Sequence, residues 1–176
     1  MNDHALFRPV LKTFAVFLLL QFFSGALLFY LKIGFHPASA LEFYVGSEIM
    51  RKTYPERPDR FKRSRTFQGL VKSSLGHVLA YGVIAFILAH FLRSLGARAD
   101  HQGAPSLYNF WGELLFLFAL LDILSGFAVR YGPSWLVFAR IFVFTCFTLL
   151  GIAGALALFR LSAGRSEAKE WPSTRP

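Results

Sequence analysis

The chain has a single cysteine, Cys146, in 176 residues. With no second thiol it cannot close an internal disulfide, form a CxxC redox pair or build a cysteine-based zinc site. Charge is also scarce, with Asp, Glu, Lys and Arg making up 16% of the residues against about 25% in soluble domains. No Walker loop, HExxH helix, Rossmann glycine fingerprint or Ser-His-Asp set is legible. The familiar nucleotide-binding, zinc-protease and serine-hydrolase chemistries are therefore not expected.

What is abundant is apolar. Hydrophobic residues are 55% of the chain, 21 of them Phe, and the mean hydropathy is +0.46. A solvent that is mostly lipid explains both the surplus and the missing charge. The charge that remains is one-sided, 19 Lys and Arg against 10 Asp and Glu, a net +9. These cations fall almost entirely between apolar runs, which points to membrane topology and anionic lipid head groups and away from nucleic acid.

A bilayer core about 30 Å thick needs about 20 apolar residues in a helix. Four stretches qualify: 13–31, 70–95, 109–129 and 134–161. They are expected to form one domain, residues 1–164, followed by a polar tail at 165–176. The expected fold class is thus all-α, an integral membrane four-helix bundle with a short interfacial helix in the first long loop. The first run is longer than a signal-peptide core of about 7–15 residues, and Lys32 interrupts the approach to the small pair Ala38 and Ala40. We read it as an uncleaved anchor. Basic residues divide too evenly between the two faces to set the orientation.

The first loop holds the short helix. Pro37 suits a first helical turn, and Leu41, Tyr44, Val45 and Ile49 then share one face against the membrane. Pro55 and Pro58 stop any helix beyond it, and Arg60, Lys62, Arg63 and Arg65 are expected among lipid head groups. The segment YGPS at 131–134 forces the last two spans into a tight hairpin. Small residues at four-residue spacing, Gly76 with Ala80, Ala85 with Ala89 and Gly151 with Ala155, predict close helix contact. The many Phe side chains are expected to face lipid or core, with an aromatic pocket for a porphyrin or quinone as the alternative.

Ionisable groups inside a span are costly and are functional candidates by default. Here they are His77, His90, Glu113, Asp122 and Arg140, with Gln21 as a polar addition. Folding the hairpin about Gly132 and Pro133 sets Arg140 opposite Gly126, from where its guanidinium reaches one turn deeper to Asp122; Arg130 is the alternative cation. An ion pair that fixes hairpin register competes with a proton-relay or quinone-binding carboxylate. Glu113, beside Trp111, reads as interfacial.

His77 and His90 share one helix and lie about 20 Å apart along its axis. In this they resemble the respiratory diheme b cytochromes, where two histidines on one helix each ligate a stacked haem. Their spacing rotates one ring about 140° from the other, so the two are expected to face different directions and to need separate partners. For His77 the candidate partner is His36, just beyond the first span. Together they would ligate a haem b through neutral imidazoles, with Lys32, Arg65 or Lys72 meeting propionates, or else hold a transition metal. For His90 the partners are His4, His101 or a second copy in a homodimer. The competing reading is structural: each ring hydrogen-bonds a neighbouring carbonyl or makes a polar helix contact.

The segments FHPASALEFYVG, GHVLAYGVIAFILAH and LDILSGFAVRY, across roughly 34–131, resemble a group of small bacterial four-span membrane proteins. That resemblance implies the architecture, singles out His36, His77, His90, Asp122 and Arg130, and implies no activity. The leading expectation is a bacterial inner-membrane protein that binds haem b and transfers electrons within or beside a respiratory assembly, rather than a catalyst of bond chemistry. The alternatives are a cofactor-free accessory or assembly subunit of a membrane complex, and a small metal or proton carrier using His77, His90 and Asp122.

Overall fold

The computed structural model describes residues 3–48, 52, 55–56, 62–99 and 105–163, and among these described residues five helices are set out. They are α1 (Asp3–Lys32), α2 (Pro37–Val45), α3 (Phe67–Ala99), α4 (Pro105–Tyr131) and α5 (Leu136–Ala163). Four contain apolar spans long enough to cross a bilayer: Arg8–Lys32, Phe67–Ser94, Phe110–Tyr131 and Leu136–Ser162. The fold is therefore an all-α membrane bundle.

The helix ends follow local chemistry. At the end of α1 the Phe29 carbonyl accepts from the N–H groups of Ile33 and Gly34 at 2.8 and 2.9 Å, and Gly34 turns the chain. Pro37 opens α2, whose last turn closes where Gly46 N–H donates to the Glu42 carbonyl at 2.9 Å. Gly46 has φ +90, and a Cβ there would lie 2.7 Å from the Ser64 nitrogen, so only glycine fits without strain. The crowding arises because the chain returns alongside itself: Ser47 N–H donates to Lys62 O at 3.0 Å, and Arg65 N–H to Tyr44 O at 3.0 Å. The Thr66 hydroxyl then caps α3 by accepting from Gly69 N–H at 3.1 Å. Pro133, Ser134 and Trp135 form the turn between α4 and α5, so the last helix begins at Leu136, slightly later than the apolar run suggests.

In lipid the bundle is held by close packing and polar contacts, because the surrounding acyl chains are as apolar as its side chains. α5 is the hub, packing along α1 and α4 and also touching α3, while α3 packs mainly on α4. The larger core contains Ala15, Leu18 and Phe22 of α1, Leu88 and Leu92 of α3, Leu115 of α4, and Phe147 and Leu158 of α5. Gly151 lets Phe22 lie against α5, since a Cβ there would come within 2.1 Å of that ring. A smaller cluster of Ala40, Tyr44, Leu70, Val129 and Val137 seats α2 on the bundle.

Two packing expectations need correction. Gly76 and Ala80 are exposed, and a Cβ on Gly76 would meet nothing within 4 Å. That pair faces lipid; the close approach of α3 to α4 is instead made by Ala89 against Gly112. On α2, Tyr44 turns into the bundle with Ala40 while Val45 is 38% exposed, so the two do not share a face. Ile49 lies outside the described residues. The Phe residues divide: Phe22, Phe144 and Phe147 are buried, whereas Phe17, Phe23, Phe116 and Phe142 point outward.

Candidate functional site

α1 and α3 touch through Phe14 against Phe91, with ring centroids 6.0 Å apart. That contact is at one membrane face. Toward the other face, where α1 ends and α3 begins, a cavity of about 340 Å³ lies between them. This volume falls at the small end of ordinary ligand sites, roughly 300–1,000 Å³. Gly25, Leu28, Phe29 and Lys32 line it from α1, and Gly69, Leu70, Ser73, Ser74, His77 and Tyr81 from α3. Ser73, His77 and Tyr81 recur every four residues, the spacing that stacks side chains on one helix face. Leu28, Ser73 and His77 are exposed, so the cavity opens sideways toward lipid.

The floor is ionic. Asp122 and Arg140, 3% and 7% exposed, form a salt bridge between α4 and α5. One terminal nitrogen of Arg140 also donates to the Asp122 carbonyl at 3.1 Å and to Ser125 Oγ at 3.3 Å. Its Nε donates to the Tyr44 hydroxyl at 2.9 Å. Phe29 and Phe144, stacked on each other with centroids 3.8 Å apart, lie beside the guanidinium, their centroids 5.4 and 5.8 Å from Cζ. Arg140 thereby ties α2, α4 and α5 together, a task suited to a planar group with five donors. Paired this way, the two charges neutralise each other where an isolated one would be costly.

The wall and mouth are polar in a different way. His77 stacks on Tyr81, with centroids 5.1 Å apart and planes inclined at 28°. At the mouth, the Arg65 guanidinium lies over the Phe43 ring at 4.3 Å. Its backbone is fixed on both sides, by the Tyr44 carbonyl and by Arg130 Nε, which donates to the Arg65 carbonyl at 2.9 Å. Lys32 lines the same mouth from the end of α1.

The cavity unites His77, Asp122 and Arg140, together with Lys32 and Arg65. His36 is an exposed residue at the N-terminus of α2 and does not line it. His90 lies toward the opposite membrane face, exposed, stacked on Phe86 at 6.2 Å and edge-on to Phe91 at 5.9 Å. Arg130 serves Arg65 and the Tyr131 ring, while Arg140 takes Asp122. Gln21, Lys72 and Glu113 are exposed and stand outside the cavity. Among the described residues no group of three His, Cys, Asp or Glu side chains is placed to hold a metal ion. His101 lies outside the described residues.

Sequence reasoning missed the hydroxyl-bearing residues of the site: Ser73, Ser74 and Tyr81 on its wall, and Tyr44 and Ser125 around Arg140. Tyr81 was visible in principle as the residue one turn beyond His77. In the sequence Tyr44 belongs to an apolar face of α2, and only the burial of that helix shows its hydroxyl accepting from Arg140.

Fold and site together define a multi-pass helical membrane protein with a polar cavity open to the bilayer. The chain belongs to the Aq_1264_TM transmembrane helical domain family, which it matches over residues 34–168. The match covers α2 to α5 and supports the membrane architecture; it gives no support to a likeness to b-type cytochromes. No curated protein and no solved structure matches the chain.

Proposed function

We propose that the protein binds the polar head of a bilayer-dissolved amphiphile, admitted sideways between α1 and α3. The observation that carries this reading is a cavity with a lipid-facing opening, aromatic walls and the polar set His77, Tyr81, Asp122 and Arg140 along it. Apolar walls with a few convergent polar groups are the usual makings of a small-molecule site. An opening to lipid favours a ligand whose tail remains in the membrane. A phospholipid and a quinone both have that form.

The test uses Gly25, where an added Cβ would meet nothing within 4 Å. Gly25→Phe is expected to fill the cavity without disturbing the bundle. Native mass spectrometry of the full chain from mild detergent should show an amphiphile retained by the wild type and lost from Gly25→Phe. Equal retention by both proteins overturns the proposal and leaves the Asp122–Arg140 lock as the packing device of an accessory subunit.

A second reading, haem b, is favoured by one observation: His77 shares the cavity with Lys32 and Arg65. In that case His77 would ligate the iron, and Lys32 and Arg65 would hold the propionates. The protein then serves electron transfer within or beside a respiratory assembly of a bacterial inner membrane. A reduced-minus-oxidised spectrum with a b-type α band that is lost in His77→Ala supports it, and a colourless protein removes it.

A further inference from the structure

We propose that the head group taken by this cavity is the phosphate of an anionic membrane lipid, held at the mouth by Lys32 and Arg65. This rests on the reading of the cavity as a lateral head-group site and adds the chemical class of its ligand.

The argument is one of charge and depth. Four charged side chains line the cavity: Lys32, Arg65, Arg140 and Asp122. Asp122 and Arg140 are buried against each other and cancel. Among the described residues no other acid lines the space, so its mouth carries two cations and no matching anion. The nearby acid Glu42 pairs with Lys62 at 3.5 Å, outside the cavity. Ser73 and Ser74 add hydroxyl donors on the α3 side.

Both cations stand where a phosphate would be. Lys32 is the last residue of α1, and Arg65 immediately precedes Thr66, the cap of α3. They therefore sit at the same membrane face, at head-group level, while His77 lies about 15 Å along α3 from Phe67. A phosphate between Lys32 and Arg65 leaves the glycerol and acyl chains to follow the gap past Leu28 into the bilayer. Arg65 is also pre-positioned, because Phe43 holds its guanidinium and two hydrogen bonds hold its backbone. Pre-positioned donors bind at lower ordering cost, which separates Arg65 from the exposed Lys52 and Arg63 of the same loop.

The experiment compares probes on the full chain, stripped of lipid in detergent, by native mass spectrometry. The probes are phosphatidylglycerol, phosphatidylcholine, a short-chain quinone and inorganic phosphate. The variants are the Lys32→Gln/Arg65→Gln pair, a charge-matched control pair Arg63→Gln/Lys72→Gln at exposed positions outside the cavity, and Gly25→Phe. Circular dichroism reports whether each folds. The wild type and the control pair should favour phosphatidylglycerol over phosphatidylcholine roughly tenfold or more, as two membrane-level cations warrant. The mouth pair should lose that preference, and Gly25→Phe should lose both lipids.

The inference is overturned by equal binding of the two lipids, by a preference that survives in the mouth pair, by one lost equally in the control pair, or by displacement of lipid by the quinone alone. Saturation by inorganic phosphate, with no gain from acyl chains, overturns the lipid as its source. In each of these cases loss of binding in Gly25→Phe preserves the cavity as a head-group site. If Gly25→Phe changes nothing, both readings fall. If the mouth pair fails to fold, the single variants Lys32→Gln and Arg65→Gln carry the comparison.

Discussion

Arg140 on α5 donates from Nε to the hydroxyl of Tyr44 on α2 at 2.9 Å, while a terminal nitrogen of the same guanidinium pairs with Asp122 on α4. One side chain thus fastens the short helix of the first loop to the last hairpin. It does so in the low-dielectric part of the molecule, where an unpaired charge has no water to fall back on. Removing one partner should therefore cost far more than removing both. Asp122→Ala is expected to destabilise the bundle by about 3–5 kcal/mol, read as a loss of thermal stability in detergent. The double variant Asp122→Leu/Arg140→Met should recover most of that loss.

Tyr44→Phe isolates the other arm of the same connection. It keeps the ring in its buried place and deletes only the hydroxyl that Arg140 holds. A hydrogen bond to a charged group is worth about 1.5–3 kcal/mol, and this one anchors a nine-residue helix. Hydrogen exchange should rise across α2 and across 62–66, which is bonded to it, while α5 exchanges as in the wild type. Unchanged protection of α2 would show that its apolar cluster alone holds it down.

Much of this arrangement could be read from residues. Four apolar runs of bilayer length and the YGPS turn dictate four spans and a tight final hairpin, and that hairpin's register sets Arg140 within reach of Asp122. The cavity was not legible. It comes from an uneven seam in which α1 and α3 meet at Phe14 and Phe91 but part at the other face, and such a seam depends on which faces of two distant helices approach. His36 illustrates the same limit: its position next to the first span is plain in the sequence, but the N-terminal turn of α2 keeps it exposed and off the cavity lining. Gly76 and Ala80 show that small residues permit close packing without directing it.

Gly46 combines two constraints that a side chain would violate together. Its φ is +90, and a Cβ would press on the Ser64 backbone at 2.7 Å. Gly46→Ala should cost about 1–3 kcal/mol, the range for a non-glycine residue held in a sparsely populated backbone region, with more if the two chain segments must separate. The consequence should be local, because Ser47, Lys62 and Arg65 are linked across this point. Proteolytic cleavage in the first loop should become faster, and a rate equal to the wild type would refute the crowding.

The two intramembrane histidines should part company on substitution. His77 faces the cavity beside Tyr81, whereas His90 lies at the opposite face against Phe86 and Phe91. Both rings are exposed, so truncation of either leaves no large void inside the bundle, and each single change to Ala should shift stability by less than about 1 kcal/mol. Ligand retention should then separate them: His77→Ala weakens whatever the cavity holds, and His90→Ala does not. Equal loss in both would tie the two faces of the bundle into one site. Loss in His90→Ala alone would move the binding site away from the Asp122–Arg140 floor altogether.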